Sequence, residues 1–117
     1  MIKIEIPLKV PSLNEYIDAC RTNYHVGNRM KKEVQSDMGY FINQLPTFKK
    51  PIKIHFTWVE ANAKRDYDNI CYAKKFVLDA LQQCGKLKND NRKWVTGFTD
   101  SFAVGDDYKV ILEIEEV

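Results

Sequence analysis

Two stretches of this chain repeat every second residue. Ile2, Ile4, Ile6 and Leu8 alternate with Lys3, Glu5, Pro7 and Lys9, and Ile52, Ile54, Phe56 and Trp58 alternate with Lys53, His55 and Thr57. A period of two turns one face of a strand to an apolar core and the other to water. The chain must therefore build a sheet with one covered face, and the cover is written at helical spacing. Ser12 and Glu15 form an S-x-x-E capping box, which predicts a short helix from Leu13 to Cys20. Residues 31–45 carry Val34, Met38, Phe41, Ile42 and Leu45 on one stripe, ended by Pro46. Over 69–84, Ile70, Ala73, Val77, Ala80, Leu81 and Cys84 recur with the helical period, and Gly85 supplies the C-cap. The segment 21–30, with Gly27 and Asn28, reads as a mobile loop. Residues 94–104 and 108–116 read as two strands joined by the turn signal Gly105-Asp106-Asp107. The order β-α-α-β-α-β-β predicts an α+β fold: a single domain, 1–117, with a mixed sheet of about four strands and helices mainly on one face.

Composition narrows the class. With 117 residues, 44% hydrophobic and 29% charged, the chain has the balance of a globular domain rather than a disordered one. Its apolar runs fall far short of the ~20 residues a membrane helix needs, and MIKIEIPLKV lacks a signal-peptide core. Three cysteines without a CxxC pair, and His25 and His55 with no ligand-spaced neighbour, suggest neither a disulfide framework nor a zinc site. A cytoplasmic protein is expected.

Charge is spread unevenly. Residues 21–32 hold Arg21, Arg29, Lys31 and Lys32 and no acid; residues 64–93 hold eight basic residues against four acids; residues 100–117 hold Lys109 against six acids. Two basic segments on one face would form a footprint for a phosphate backbone. The second of them opens with Lys64-Arg65-Asp66-Tyr67-Asp68-Asn69, directly after the second strand and before the third helix. A strand-to-helix turn lets Asp66 and Asp68 converge, and paired hard oxygen ligands suit Mg²⁺ or Mn²⁺. The same residues also suit a plain helix start, where an Asp caps the chain and gains from the dipole. On the helix that follows, Lys75 and Asp79 lie opposite the apolar stripe, placed either to reach phosphate oxygens or to form a surface i,i+4 pair. Asp90 is the single acid of the basic stretch 86–93, and five residues beyond Gly85 can reach back ~17 Å toward the helix start. Read locally, Asn89-Asp90-Asn91 is a turn.

Taken together, Arg65-Asp66-Tyr67-Asp68-Asn69, Lys75-Phe76-Val77-Leu78-Asp79-Ala80-Leu81, Gly85 and Asn89-Asp90 resemble the R-D-x-D-N, K-x-x-x-D-A-L and post-glycine acid pattern of the RusA-type Holliday junction resolvases. Pro11-Ser12-Leu13-Asn14-Glu15-Tyr16 is similar to that family's P-S-x-N-x-Y opening, so the resemblance spans about residues 10–95. It implies an α+β homodimer that uses Mg²⁺ to cut branched, four-way DNA symmetrically. Asp66, Asp68 and Asp90 would correspond to the family's essential, metal-holding aspartates and Lys75 to its catalytic lysine. Six residues separate Asp68 from Lys75, more than in the best-known members, which leaves Lys74 as the alternative lysine. Arg21, Arg29, Lys31, Lys32, Lys64, Lys74, Arg92 and Lys93 would contact phosphates, without reading sequence. The rival expectation is a branched-DNA-binding domain of the same fold that no longer cleaves.

Overall fold

The computed structural model describes residues 1–117. Strand β1 (Ile2–Ile6) leads to helices α1 (Leu13–Thr22) and α2 (Tyr24–Ile42), then β2 (Ile52–Glu60), a short helix α3 (Tyr67–Cys71), helix α4 (Lys74–Gln83), and strands β3 (Val95–Val104) and β4 (Lys109–Glu116). The sheet order is β1-β4-β2-β3. β4 runs antiparallel to both β1 and β2, whereas β2 and β3 are parallel. The fold is the expected α+β one, a mixed four-stranded sheet.

Register explains the core. Ile54 pairs with Ile114, Phe56 with Leu112 and Trp58 with Val110, and all six are buried in one apolar cluster with Met38, Ile42, Phe76, Val77 and Leu81 from the helices. The intervening residues Lys53, His55 and Thr57 stand on the other face, where His55 Nδ1 and Nε2 meet the hydroxyls of Thr99 and Ser101. One face is therefore covered by helices and the other is polar, as an antiparallel-rich sheet permits. A radius of gyration of 14.0 Å is close to the ~13.4 Å of a compact domain of this length. No helix is long and apolar enough to cross a membrane.

Three local expectations are corrected. Residues 21–30 are helical rather than a loop. Asn23 closes α1 by donating its N–H to the Ala19 carbonyl, and opens α2 by accepting from the His25 N–H at 2.8 Å. Gly27 is buried where the helices cross: a Cβ there would stand 2.5 Å from Cys20 Sγ and 3.3 Å from Cys20 Cα. The glycine that looked like a loop residue is a contact point between helices.

The single helix expected over 69–84 is two. The N–H groups of Ala73, Lys75 and Phe76 bond three residues back, to Ile70, Tyr72 and Ala73, so the axis tightens into a 3₁₀-like step between α3 and α4. Ala73, fully buried, and Tyr72, stacked on Tyr16 at 6.1 Å, occupy the step.

Gly105-Asp106-Asp107 is not a hairpin turn, because β2 lies between β3 and β4. The loop crosses the end of β2, where the Gly105 N–H bonds the Glu60 carbonyl at 2.9 Å. Strand alternation marks strands; which strand pairs with which depends on contacts remote in sequence.

Candidate metal and phosphate site

β2 ends at Glu60, whose buried carboxylate would be costly alone. Arg65 satisfies it with two bonds, Nε to Oε1 at 2.5 Å and Nη2 to Oε2 at 2.7 Å, and spends Nη1 on the Val10 carbonyl and Glu15. Bonding to Glu60, more than any other influence, holds the Arg65 guanidinium above its ordinary pKa. The neighbour of the two aspartates is thus a structural clasp. It fixes the loop that carries them to the end of β2 and to the start of α1.

Beyond the clasp, Asp66 is the N-cap of α3 with extended backbone, yet its side chain makes no capping bond. Asp68 stands in the first turn of α3. Both are exposed, and neither carboxylate forms a hydrogen bond or ion pair with another side chain. They flank a helix start at the carboxyl end of a strand, free to take an external ligand.

Asp90 is brought back by the end of α4. Gly85, at φ +71°, lets the Lys86 N–H bond the Leu81 carbonyl at 2.9 Å and its own N–H bond that of Gln82 at 3.1 Å, a Schellman close. Leu87 is then buried in the core and the Lys86 carbonyl accepts from the Phe48 N–H. From that anchored start, the segment places Asp90 Oδ2 3.3 Å from Lys75 Nζ. The same ammonium lies 3.2 Å from Asp79 Oδ1. The bond to Asp79, ahead of the contributions from Asp90, raises the Lys75 pKa above its ordinary value despite partial desolvation.

Asp79 is not the surface residue that helical phase suggested. Its side chain is 14% exposed, because α2 packs over α4 and brings Lys31 to 3.6 Å. Its Oδ2 is buried without a hydrogen-bond donor.

The expected phosphate contacts divide. Arg21, Arg29, Lys32, Lys64, Arg92 and Lys93 are exposed. Lys31 is engaged by Asp79. Lys74 is withdrawn: its ammonium lies 2.7 Å from Asp100 Oδ2 and 3.8 Å from the centre of the Phe98 ring, and the side chain is 13% exposed. Trp58 Nε1 donates to the other Asp100 oxygen at 2.8 Å. Lys74 therefore locks α4 to β3, whereas Lys75 stays half-exposed between Asp79 and Asp90. Sequence reading missed the Glu60–Arg65 clasp and Asp100, whose partners come from elements distant in the chain.

The structure gathers no group of three His, Cys, Asp or Glu side chains close enough to hold an ion. Asp66 and Asp68 offer two exposed hard carboxylates two residues apart in the chain, and Asp90 faces Lys75. That donor set fits Mg²⁺, which binds through one or two carboxylates and keeps waters or substrate phosphate for its other positions. It is not a closed cage. Beside Asp66, a cavity of about 350 Å³ opens between the ends of β2 and β3, lined by Tyr67, Ile70, Phe102 and Val104. A comparison with known protein families matches none, and a comparison with curated proteins finds no relative.

Proposed function

We propose that this protein is a Mg²⁺-dependent endonuclease of the RusA type, cutting four-way DNA junctions in symmetrical pairs. The observation that carries the reading is the meeting of Asp90 with Lys75 at 3.3 Å. Two motif fragments separated in sequence, each ordinary alone, share one ammonium at the helix that follows the Asp66–Asp68 turn.

Asp66 and Asp68 would hold Mg²⁺, with Asp90, paired to Lys75, standing beside that site as the third acid of the motif. Bound there, the ion supplies charge neutralisation of the phosphodiester and acidification of a water. Lys75 contributes a cation. Its raised pKa keeps it protonated at neutral pH, so it serves as a fixed positive charge for the oxygens that become more negative in the transition state and not as a general base. Asp79 and Asp90 hold that ammonium from two sides. Arg21, Arg29, Lys32, Lys64, Arg92 and Lys93 are the available phosphate contacts, sequence-blind and salt-sensitive. Two coordinated cuts need two sites, which a C₂ homodimer provides in the symmetry of the junction.

The test is a synthetic four-way junction incubated with purified protein and Mg²⁺, or with EDTA. Paired nicks with Mg²⁺ alone support the reading. Tight junction binding without nicks in Mg²⁺ or Mn²⁺ makes the chain a branched-DNA-binding domain of the same fold.

A further inference from the structure

Tyr67, between the two aspartates, is 66% exposed. Its ring lies against Phe102 of β3, with centroids 4.2 Å apart and planes 15° from parallel. The stack covers one face of the phenol and fixes its plane while the ring stays largely exposed, and both rings line the 350 Å³ cavity. That volume is at the lower end of ligand clefts, room for one small planar ring. The position is also a favoured one: β2 and β3 are parallel, and crevices outside the carboxyl ends of parallel strands are where ligands sit.

Apart from the Asp66 carboxylate, the polar side chains around this cavity are already spent. Glu60 is held by Arg65. Asn62 donates to the Tyr108 hydroxyl and accepts from the Lys64 N–H. A ring entering here finds apolar surface in Ile70 and Val104 and an aromatic plane, with few donors or acceptors to read its edge.

From these features we infer that Tyr67, backed by Phe102, is a stacking platform for one unpaired nucleobase of the DNA, taken without regard to base identity. The inference rests on the nuclease reading for its ligand, and it specifies how a branched substrate is told from an intact duplex. Only DNA with an unstacked base at the branch offers a free π-face next to the phosphate that Asp66 and Asp68 approach, and stacking on an aromatic side chain tolerates any base.

The experiment measures binding by fluorescence anisotropy in EDTA for three probes: a labelled four-way junction, an oligothymidine strand and a linear duplex. Wild type, Tyr67→Ala and Tyr67→Phe are compared, with thermal melts to confirm that all three fold. Tyr67→Ala is expected to weaken junction and single-strand binding about tenfold and to leave the duplex within about twofold, whereas Tyr67→Phe, which keeps the ring, should stay within about twofold of wild type on all three probes. A 2-aminopurine at the branch should be quenched by wild type and Tyr67→Phe only. Equal loss on all three probes, or none on any, overturns the inference. Wild-type nicking in Mg²⁺ is scored in parallel. Nicking with no selective Tyr67 effect removes the platform and leaves the nuclease; a selective Tyr67 effect without nicking keeps the platform and removes the nuclease.

Discussion

At the scale of single residues, Lys75 joins helix α4 to the acid delivered after Gly85. Its two contacts, to Asp79 and Asp90, also set how it responds to pH. Because folding raises its pKa above the ordinary lysine value of 10.5, the stability these contacts supply is fully present below that pH. It is lost as pH rises through the higher folded value. Urea unfolding of wild type and Lys75→Met should therefore differ at pH 8 and converge as pH rises past the raised folded-state pKa of Lys75. A difference that grows with pH contradicts the assignment. In catalysis, Lys75→Ala should lower cleavage by about 10²–10³-fold, with junction affinity little changed. Lys74→Ala should instead act on stability, because its ammonium is bound to Asp100 and sits on Phe98; a loss of cleavage larger for Lys74 than for Lys75 reverses the roles. Sequence placed both lysines on the right helix. It could not separate them, because the partner that withdraws Lys74 lies in β3.

At the scale of elements, two joints hold the site. The first is the clasp of Arg65 on Glu60, linking the end of β2 to α1 through Val10 and Glu15. Arg65→Ala leaves a buried carboxylate without its cation and should cost about 3 kcal/mol or more, while Arg65→Met with Glu60→Leu should cost far less. Denaturant midpoints of the single and double variants decide this. The second joint is Gly27. Alanine there would normally favour a helix by about 1 kcal/mol, but its Cβ would meet Cys20 Sγ at 2.5 Å and Cys20 Cα at 3.3 Å. Gly27→Ala should thus destabilise, by about 1–2 kcal/mol, and Cys20→Ala should recover part of the loss. The Ser12–Glu15 capping box was legible because both of its bonds span three residues. The helical start at Asn23 was not, since the basic, glycine-containing stretch after it has the composition of a loop. Nor was the step at Tyr72–Ala73, where aromatic packing against Tyr16 overrides an unbroken helical period.

For the whole molecule, the strand alternation of β1 and β2 and the stripes of α2 and α4 were enough to reach an α+β sheet covered on one side. The β1-β4-β2-β3 order was not readable. Yet the parallel pairing of β2 with β3 is what opens the cavity beside Asp66 and what brings Asp100 under Lys74. The exposed cations Arg21, Arg29, Lys32, Lys64, Arg92 and Lys93 come from both ends of the chain's basic sequence. Junction affinity should fall steeply with salt, by about 0.9 in log-log slope for each phosphate neutralised on duplex arms. Lys64→Ala should reduce the slope by about one such unit in anisotropy titrations, while Lys74→Ala leaves it unchanged.

The central claim is that the free carboxylates at the start of α3 recruit a divalent ion to cut DNA. Asp68→Asn removes one charge from that turn and keeps its shape. On a four-way junction with Mg²⁺, the variant should lose cleavage about a hundredfold or more while binding the junction at least as tightly as wild type, since the surface has become less negative. Cleavage at the wild-type rate would contradict the account.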